Sequence, residues 1–352
     1  MTPLSITVQT SYAELLEQLL ARDAQRSIGD APGAFVTKQI RERSYYYFQY
    51  SLPGGSTRQA YVGPKSDALD AIVERFATER AAVREDRDRL DELAAMLRAG
   101  GAAVTDAASA RVLAALADSG VFKLGGVLVG TQAFLAIGNL LGVKWDGASA
   151  RTEDVDIGVA RVLEVAVPSV GTDVPRTRTL ERLEMGFLPV PAFSPKDAST
   201  SFKVRGRGLR VDLVTPGDRV RTARPVHVPR LNAAAAPVRY LELVLEDTQP
   251  AAIINGGAAL VTVPHPARLA ILKLLVAQDR PSAFHGKVDK DVVQAVQLIE
   301  ALEELRPGDL KRAWRSARGR GKGWARALDS SVALVRKRAP NVASRLEKLA
   351  PR

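Results

Sequence analysis

The sequence predicts an α+β protein: a mixed β-sheet with helices, flanked by an N-terminal β-hairpin and helical region and by a C-terminal helical domain. Two observations predict it. Strand-like and helix-like apolar runs follow one another as β-α-β between residues 127 and 214, whereas the segments after residue 265 have helical spacing. That order is typical of segregated α+β folds. We expect four regions, which are a helix plus aromatic β-hairpin at 1–64, a helical connector at 65–120, the sheet domain at 121–264 and a basic helical domain at 265–352.

The N-terminal region combines one helix with two aromatic strands. Leucines at helical spacing predict an amphipathic helix at 11–24. The aromatic runs at 45–50 and 58–62 flank a Pro-Gly-Gly-Ser turn and predict a hairpin. Since alternate residues of a strand face opposite sides, one set of aromatic side chains belongs to the core. The other set could stack on nucleic-acid bases.

Two helices form the predicted connector. Ser66, Asp67 or both cap a long helix that extends to about Leu97. The charged stretch at 84–92 places the middle of this helix at the surface. A second helix is predicted near 106–116, and it leads the chain into the sheet domain.

Three aspartates follow the first strand of the predicted sheet. That strand ends at the turn Gly130-Thr131, and Asp154, Asp156 and Asp212 come after it. Because side chains at i and i+2 of a strand share a face, Asp154 and Asp156 project together, and Asp212 joins them if its strand lies alongside. Three carboxylates on one face repel each other unless cations lie between them. The pattern indicates a divalent-metal site for phosphoryl or nucleotidyl transfer; the alternative is a group of surface acids on an edge strand.

The region after Asp212 predicts two strands and then helices only. The strands are expected at 240–245 and 259–263, and the helices at 266–277 and 288–302. A Gly-rich basic stretch at 319–323 and Pro340 interrupt the final helical region.

Gly130-Thr131, the Asp154-x-Asp156 pair and Asp212 resemble the signature of the nucleotidyltransferase-fold superfamily, the polymerase-beta-like enzymes. That signature is a strand ending in Gly-Ser or Gly-Gly, then Asp-x-Asp or Asp-x-Glu, then a distal Asp. Residues 120–305 are similar to a bacterial branch of this superfamily and to the abortive-infection-type nucleotidyltransferases. Thr131 stands where Ser is usual but keeps the hydroxyl. The 23 positions between Thr131 and Asp154 exceed the spacing of the smallest members, so an inserted segment is expected there.

The resemblance implies that residues 121–264 form a nucleotidyltransferase palm that uses Mg²⁺ (or Mn²⁺) and an NTP. Asp154 and Asp156 would hold two ions and the triphosphate, and Asp212 would ligate the ion that lowers the pKa of the acceptor hydroxyl. Gly130 lets the backbone approach a phosphate, to which the Thr131 hydroxyl can donate.

Several cationic side chains are candidates for binding the nucleotide. Arg151 and Lys203 precede the acidic strands, and each could neutralise triphosphate charge or form a surface salt bridge. Arg210 shares a face with Asp212 by the i+2 rule, so it could either pair with that acid or reach substrate.

Lys273 lies in an otherwise apolar helix, so it either extends out to solvent or points into a cleft. Similarity to the toxin-type enzymes favours the cleft, and by the same resemblance Lys290 and Asp291 bind phosphate and orient the site.

The positive charge of the chain is concentrated in its last 48 residues. The net charge is +11, and residues 305–352 carry 14 Lys or Arg against three acids, so the rest of the chain is balanced. Clustered cations are typical of surfaces that bind polyanions, although a solvated helical face is the alternative. Trp314 and Trp324 alternate with the cluster that we predict to contact nucleic acid, namely Lys311, Arg312, Arg315, Arg318, Arg320 and Lys322.

Composition excludes several other classes of site. The chain has no cysteine, which excludes disulfides and thiolate chemistry and is compatible with the reducing cytoplasm where we expect it. Its three histidines lie far apart in sequence, so a zinc site is not predicted. Residues 124–143 are uncharged but rich in glycine, so we interpret them as a strand, a turn and a helix rather than a membrane span. The first 17 residues lack the pattern of a signal peptide.

The sequence therefore supports a Mg²⁺-dependent nucleotidyltransferase that moves NMP from an NTP to a hydroxyl, with RNA or tRNA favoured as acceptor. A protein hydroxyl or a small molecule stays open as acceptor. Two alternatives also stay open. One is a non-catalytic nucleic-acid-binding or regulatory protein that retains the fold. The other is a toxin or defence component that acts on RNA or protein and is restrained by a protein partner.

Overall fold

A computed structural model describes residues 1–31, 33–51, 57–146, 161–166, 187–189, 198–204, 209–217, 224–228, 233–279 and 285–349. Arg151, Asp154 and Asp156 lie outside these ranges, so their predicted positions are not described. Element labels below refer to the described parts of the chain.

The N-terminal region is a helix, a three-stranded antiparallel sheet and a long second helix. In chain order these are β1 (Thr2–Pro3), α1 (Ile6–Ala24), a 3₁₀ turn (Ile28–Asp30), β2 (Ala34–Ile40), β3 (Arg43–Ser51), β4 (Thr57–Pro64) and α2 (Asp67–Ala99). The sheet order is β2-β3-β4. The predicted hairpin is confirmed as β3 and β4. Strand β2 was not predicted, because its largely exposed sequence shows no alternation of apolar and polar residues.

Side-chain caps set the starts of both long helices. Ser5 accepts a hydrogen bond from the Val8 N–H (3.4 Å), so α1 begins five residues earlier than the leucine pattern predicts. Ser66 accepts from the Leu69 N–H (3.4 Å), which confirms the predicted cap of α2. The two helices pack together through buried leucines, and the Tyr12 hydroxyl accepts from the Ala252 N–H (2.9 Å). The N-terminal helices are thus attached to the strands of the following region.

The central sheet is mixed, as predicted. The elements of this region are α3 (Ala107–Asp118), β5 (Val127–Val129), α4 (Gly130–Leu141), β6 (Val143–Lys144), β7 (Arg161–Ala166), β8 (Phe187–Pro189), β9 (Ser201–Val204), β10 (Leu209–Pro216), β11 (Val226–Val228) and β12 (Ala233–Val238). Strand β6 pairs with β1 in a separate two-stranded sheet, and the other strands form the central sheet. The strand order is β11-β12-β10-β7-β5, with β8 and β9 attached beside the first half of β10. Strand β10 is parallel to β7 and β12, and β7 is antiparallel to β5.

A hairpin and six helices follow the sheet in the described part of the chain. The elements are α5 (Glu242–Leu245), β13 (Thr248–Ile254), β14 (Ala258–Pro264), α6 (Pro266–Asp279), α7 (His285–Leu305), α8 (Asp309–Arg318), α9 (Lys322–Arg336) and α10 (Pro340–Leu349). The expected strand at 240–245 is wrong: Tyr240 adopts a positive φ (66°) and a short helix follows. Six residues are too few for an apolar pattern to separate the periods of helix and strand. The other predicted elements of this region are confirmed.

One large hydrophobic core joins the sheet to these helices. Phe134 of α4 stacks on Trp145 with 4.5 Å between ring centroids, and Trp314 of α8 is fully buried. The core extends from α3 through α4 and β10 to α10. Among the helices that the structure describes, none has the length and apolar character needed to span a membrane.

Candidate functional site

The turn between β5 and α4 places free backbone donors at the edge of the sheet domain. Gly130 has φ 71°, a left-handed conformation that strongly favours glycine. Helix α4 begins at this residue, and its N-cap, Val129, supplies no side-chain cap. Thr131 is half-buried in the first turn. An uncapped helix N-terminus carries unsatisfied N–H groups and partial positive charge, which favour an anion such as phosphate.

The strand register aligns Asp212 with this turn. Val129 of β5 is opposite Glu164 of β7, and Glu164 is opposite Asp212 of β10. Directly opposed residues project to the same face, so Asp212 projects to the face of Val129. Adjacent strands are about 4.8 Å apart, which puts the two Cα positions about 10 Å from each other. Asp212 and the Gly130 turn therefore lie on one cross-strand row of the sheet.

Two neighbours fix the carboxylate of Asp212. Ser201 on β9 donates its Oγ–H to Oδ1 (2.5 Å), and the Arg210 Nη2 donates to Oδ2 (2.7 Å). The side chain of Asp212 is 18% exposed, so solvent or a ligand can still reach it. A carboxylate has about four acceptor positions, and these two bonds use two of them. Asp212 is thus oriented and retains capacity to bind a proton or a cation.

The cation candidates near Asp212 lie on its face of the sheet. Arg210 shares the face by the i+2 rule, and its pairing with Asp212 is one of the two roles open for it from the sequence. Lys203 is opposite Arg210 in the register between β9 and β10 and is exposed. This part of the sheet therefore combines one oriented carboxylate with two cationic side chains.

Lys273 and Asp291, two separately predicted site residues, form a buried ion pair. Lys273 of α6 is 5% exposed and Asp291 of α7 is 9% exposed, and Nζ lies 3.4 Å from Oδ1. The lysine does not extend out to solvent, which was one of the two arrangements open for it. Buried charges are stable only when they are paired and hydrogen-bonded. The pair is therefore a polar contact within the largely apolar interface between α6 and α7. Lys290, also predicted, is half-buried one residue before Asp291.

Sequence reasoning missed two buried glutamines on the same helix. Gln294 and Gln297 of α7 follow Asp291 at intervals of three residues and are 0% and 6% exposed. The Gln297 Oε1 accepts from the Asp146 N–H (3.0 Å). Asp146 is the last described residue before the segment that carries Arg151, Asp154 and Asp156. The i+3 spacing of these polar residues among the apolar residues of α7 was the signal that could have found them.

The groups around Asp212 include a type of ligand that a divalent cation requires. Mg²⁺ requires hard oxygen ligands, and a half-satisfied carboxylate supplies one. Within the described ranges no group of three or more His, Cys, Asp or Glu could hold a metal, so the other ligands would come from Asp154 and Asp156 outside those ranges. The buried Oε1 of Gln132, next to Thr131, has no hydrogen-bond partner among the described residues and is a further hard oxygen donor. Asp212 can therefore supply one oxygen ligand to a divalent cation.

The basic C-terminal helices divide into paired and exposed cations. Arg312 pairs with Asp309, Arg318 with Asp329 and Arg320 with Glu246. The remaining three predicted contacts are exposed, namely Lys311, Arg315 and Lys322.

The two tryptophans that alternate with these cations do not form a stacking surface. Trp314 is fully buried. Trp324 packs against Tyr240 (4.7 Å between ring centroids), with the guanidinium of Arg320 5.0 Å from its ring. Both rings are held by the hydrophobic core, so nucleic-acid contact in this region would depend on charge rather than on stacking.

Comparison with known proteins identifies a family for this chain. A family model described as nucleotidyltransferase matches residues 107–319, well over half of the chain. The matched range includes the Gly130 turn, the three candidate aspartates and the Lys273–Asp291 pair. Searches of curated proteins and of solved structures returned no match. The chain belongs to the nucleotidyltransferase family and is a nucleotidyl-transferring enzyme.

Proposed function

We propose that this enzyme moves NMP from an NTP to a hydroxyl of an RNA acceptor, with Mg²⁺ or Mn²⁺ as its metal. The observation that carries the proposal is the shared row of the sheet: the Cα atoms of Val129, which is the N-cap of α4, and of Asp212, whose carboxylate is oriented, are about 10 Å apart on this row. A triphosphate needs both kinds of group, which are N–H donors for its oxygens and carboxylates for its accompanying cations.

The metal would be held by Asp154, Asp156 and Asp212, as the resemblance to polymerase-beta-like enzymes implies. When bound, it stabilises charge on the phosphates and lowers the pKa of the acceptor hydroxyl. The Asp212 carboxylate would take the proton that this hydroxyl loses. The hydroxyl oxygen then bonds to the α-phosphorus while the bond to the bridging oxygen breaks, and pyrophosphate leaves.

Ser201 and Arg210 hold Asp212 in one rotamer for that proton transfer, because each bonds a different carboxylate oxygen. Their separate bonds leave lone pairs free on both oxygens.

The remaining nucleotide-binding groups would bind or position the triphosphate. The first N–H groups of α4 and the Thr131 hydroxyl would donate to phosphate oxygens. Lys203 on the face of Asp212, together with Arg151, would offset phosphate charge. Lys290 would contact the nucleotide from α7, and the buried Lys273–Asp291 pair would fix the helix face from which Lys290 projects.

RNA is the acceptor favoured by charge. The balance of +11 in residues 305–352 equals the net charge of the entire chain. Lys311, Arg315 and Lys322 keep exposed ammonium or guanidinium groups that can neutralise phosphates. Each of three further arginines is paired with an acid and would add to the positive electrostatic potential of this region, namely Arg312, Arg318 and Arg320.

Transfer of radiolabel tests the proposal. The full chain is incubated with each α-³²P-labelled NTP, Mg²⁺ and total RNA, and labelled products are separated on a denaturing gel. We expect one or more NTPs to label RNA. The variants Asp212→Asn and Asp154→Asn/Asp156→Asn should lose this activity by more than about 100-fold, the scale on which electrostatic catalytic groups act. The matched control is Asp88→Asn, which changes an exposed acid of α2 and should keep wild-type activity.

Equal labelling by the wild type and the site variants would contradict the enzymatic assignment of these aspartates. Label that enters protein or small molecules while RNA stays unlabelled would retain nucleotidyl transfer and reject RNA as acceptor.

A further inference from the structure

The two faces of the sheet β2-β3-β4 have different environments. One face packs on α2: Phe35, Phe48 and Phe76 form edge-to-face contacts with centroids 5.1–5.8 Å apart. The Tyr46 hydroxyl donates to Asp70 Oδ1 (2.6 Å) on the same side. This face is the core of the N-terminal region, and it accounts for one of the two aromatic sets that the strand alternation separates.

The opposite face presents three tyrosines, which we call the tyrosine face. Tyr47 is directly opposite Tyr61 across β3 and β4, and their ring centroids are 5.5 Å apart. Tyr45 lies 6.1 Å from Tyr61. Tyr61 is 58% exposed, which is high for an aromatic residue. Within the described chain, the ring contacts of these tyrosines are with one another and with Lys38.

The tyrosine face is also cationic. The Lys38 Nζ lies 4.8 Å from the centroid of the Tyr47 ring, and Lys38 is opposite Tyr45 across β2 and β3. Arg43 is exposed two residues before Tyr45 on the same face. Residues 33–66 contain five Lys or Arg and one acid. The potential of this sheet therefore attracts a polyanion.

Side-chain amides complete the face beside the rings. Gln49 and Gln59 are opposite each other, and the Gln59 Nε2 donates to the Gln49 Oε1 (2.6 Å). The pair has further donor and acceptor positions that can bond base edges. Exposed aromatic rings, flanking cations and amides are together the groups that bind single-stranded nucleic acid, where unpaired bases stack on rings and phosphates meet cations. A duplex offers neither unpaired bases nor open base faces to such a surface.

We propose that the tyrosine face binds single-stranded RNA and holds the acceptor of the transfer reaction. The binding surface stands on the contacts above, whereas its role as acceptor site rests on the proposed function. This surface lies in the first 64 residues, outside the 107–319 range that the nucleotidyltransferase family model matches.

Fluorescence anisotropy tests the surface without any need for catalysis. The full chain is titrated into a 5′-labelled single-stranded RNA of mixed sequence, in EDTA and without NTP, at several salt concentrations. Tyr61→Ala should weaken binding about 5- to 150-fold, the loss measured when one stacking ring is removed. Tyr61→Phe keeps the ring and should bind like the wild type. Lys38→Ala should reduce the slope of log Kd against log salt by about 0.7, because one phosphate contact is lost.

Two comparisons make the result decisive. Ile72→Ala removes a similarly exposed apolar side chain from α2 and should leave the Kd unchanged, and thermal unfolding verifies that every variant is folded. An RNA duplex of the same length should bind more weakly than the single strand. Wild-type RNA affinity in Tyr61→Ala, or duplex binding as tight as single-strand binding, would contradict the proposal that the tyrosine face binds single-stranded RNA.

The binding assay and the labelling assay can fail separately. RNA binding that is lost in Tyr61→Ala without any detectable transfer by the wild type would retain the surface and reject its role as acceptor site. Transfer that is undiminished in Tyr61→Ala, together with unchanged RNA affinity, would retain the enzymatic function and reject the surface.

Discussion

The buried ion pair between Lys273 and Asp291 makes a quantitative prediction about stability and activity. The pair joins α6 to α7 at a Nζ–Oδ1 distance of 3.4 Å, with both residues less than 10% exposed. Removing one partner leaves a charge in a poorly solvated environment, which costs about 3–5 kcal/mol. The distance exceeds the 2.7–2.9 Å typical of strong charge-assisted bonds, so the lower end, about 3 kcal/mol, is expected for Lys273→Met and for Asp291→Asn.

Replacing both partners separates the structural role of the pair from its chemical role. Lys273→Met/Asp291→Leu replaces both charged side chains, one on α6 and one on α7, by apolar side chains of related shape beside the buried leucines of α6 (Leu272, Leu274 and Leu275). Such replacements are often neutral or stabilising, so the double variant should unfold within about 1 kcal/mol of the wild type. If the pair also serves the nucleotide site, the double variant recovers stability while its transfer activity stays low.

Urea unfolding followed by circular dichroism measures the stability term. The control is Glu85→Ala, which breaks an exposed i,i+4 pair with Arg89 on α2 and should change the free energy of unfolding by only about 0.3–0.5 kcal/mol. A loss below 1 kcal/mol in both single variants would show that the charges are solvated and that the burial argument is wrong. Full transfer activity in the double variant would show that the pair does not serve the nucleotide site.

Three further predictions concern the sheet and helix α6. Gly130→Ala places a Cβ on a backbone with φ 71° and should cost about 1–2 kcal/mol while weakening NTP binding; Gly101→Ala (φ 87°) should cost as much and leave NTP binding intact. Ser201→Ala removes one bond to the Asp212 carboxylate and should slow transfer about 10- to 100-fold. Burial lowers the pKa of His265, so the unfolded chain binds the proton more readily. Stability should therefore fall as the pH drops below about 6.5, and His265→Asn should reduce that dependence in unfolding curves.

Matched variants distinguish these effects from general damage. Ser344→Ala removes an exposed helix-surface hydroxyl and should leave transfer unchanged. Equal transfer by Ser201→Ala and wild type would mean that Asp212 does not depend on Ser201 for its orientation. Parallel pH curves for His265→Asn and wild type would show that His265 titrates alike in the folded and unfolded chains.

The local geometry of His265 gives the pH prediction its physical basis. The His265 Nδ1 accepts from the Ala267 N–H (3.3 Å) at the start of α6, and the Nε2 lies 3.3 Å from Asp309 Oδ2. Protonation of Nδ1 would remove the first bond. Asp247 and Asp309 favour the charged form, whereas burial, Arg306 and Arg268 oppose it, and the balance lowers the pKa.

Sequence patterns predicted the elements whose signals are local. The apolar run ending at Gly130, the Ser66 cap and the helices after residue 265 were each encoded in residues that lie within a few positions of one another. Strand β2 was missed because its largely exposed sequence lacks the alternation of apolar and polar residues that predicts a half-buried strand. The helical turn after Tyr240 was missed because so short a run fits both periods.

Contacts between distant residues could not be predicted in detail. The sequence placed Asp212 on a strand and suggested Arg210 as its neighbour, but Ser201 becomes its partner only through the β9–β10 register. Lys273 and Asp291 were each singled out, yet the sequence does not show that α6 and α7 bury them against each other. The basic residues next to Trp314 in sequence predicted that it lies on a basic surface, whereas tertiary packing places it in the core.

A crystal structure of the full chain with Mn²⁺ and a non-hydrolysable NTP is the most direct test of the site. The anomalous signal of Mn²⁺ identifies the ion independently of the protein. We expect the ion between the triphosphate and the carboxylates of Asp154, Asp156 and Asp212, with the phosphates at the N-terminus of α4. An ion bound elsewhere, or an Asp212 carboxylate turned away from the nucleotide and still held by Ser201 and Arg210, would contradict the proposed metal site.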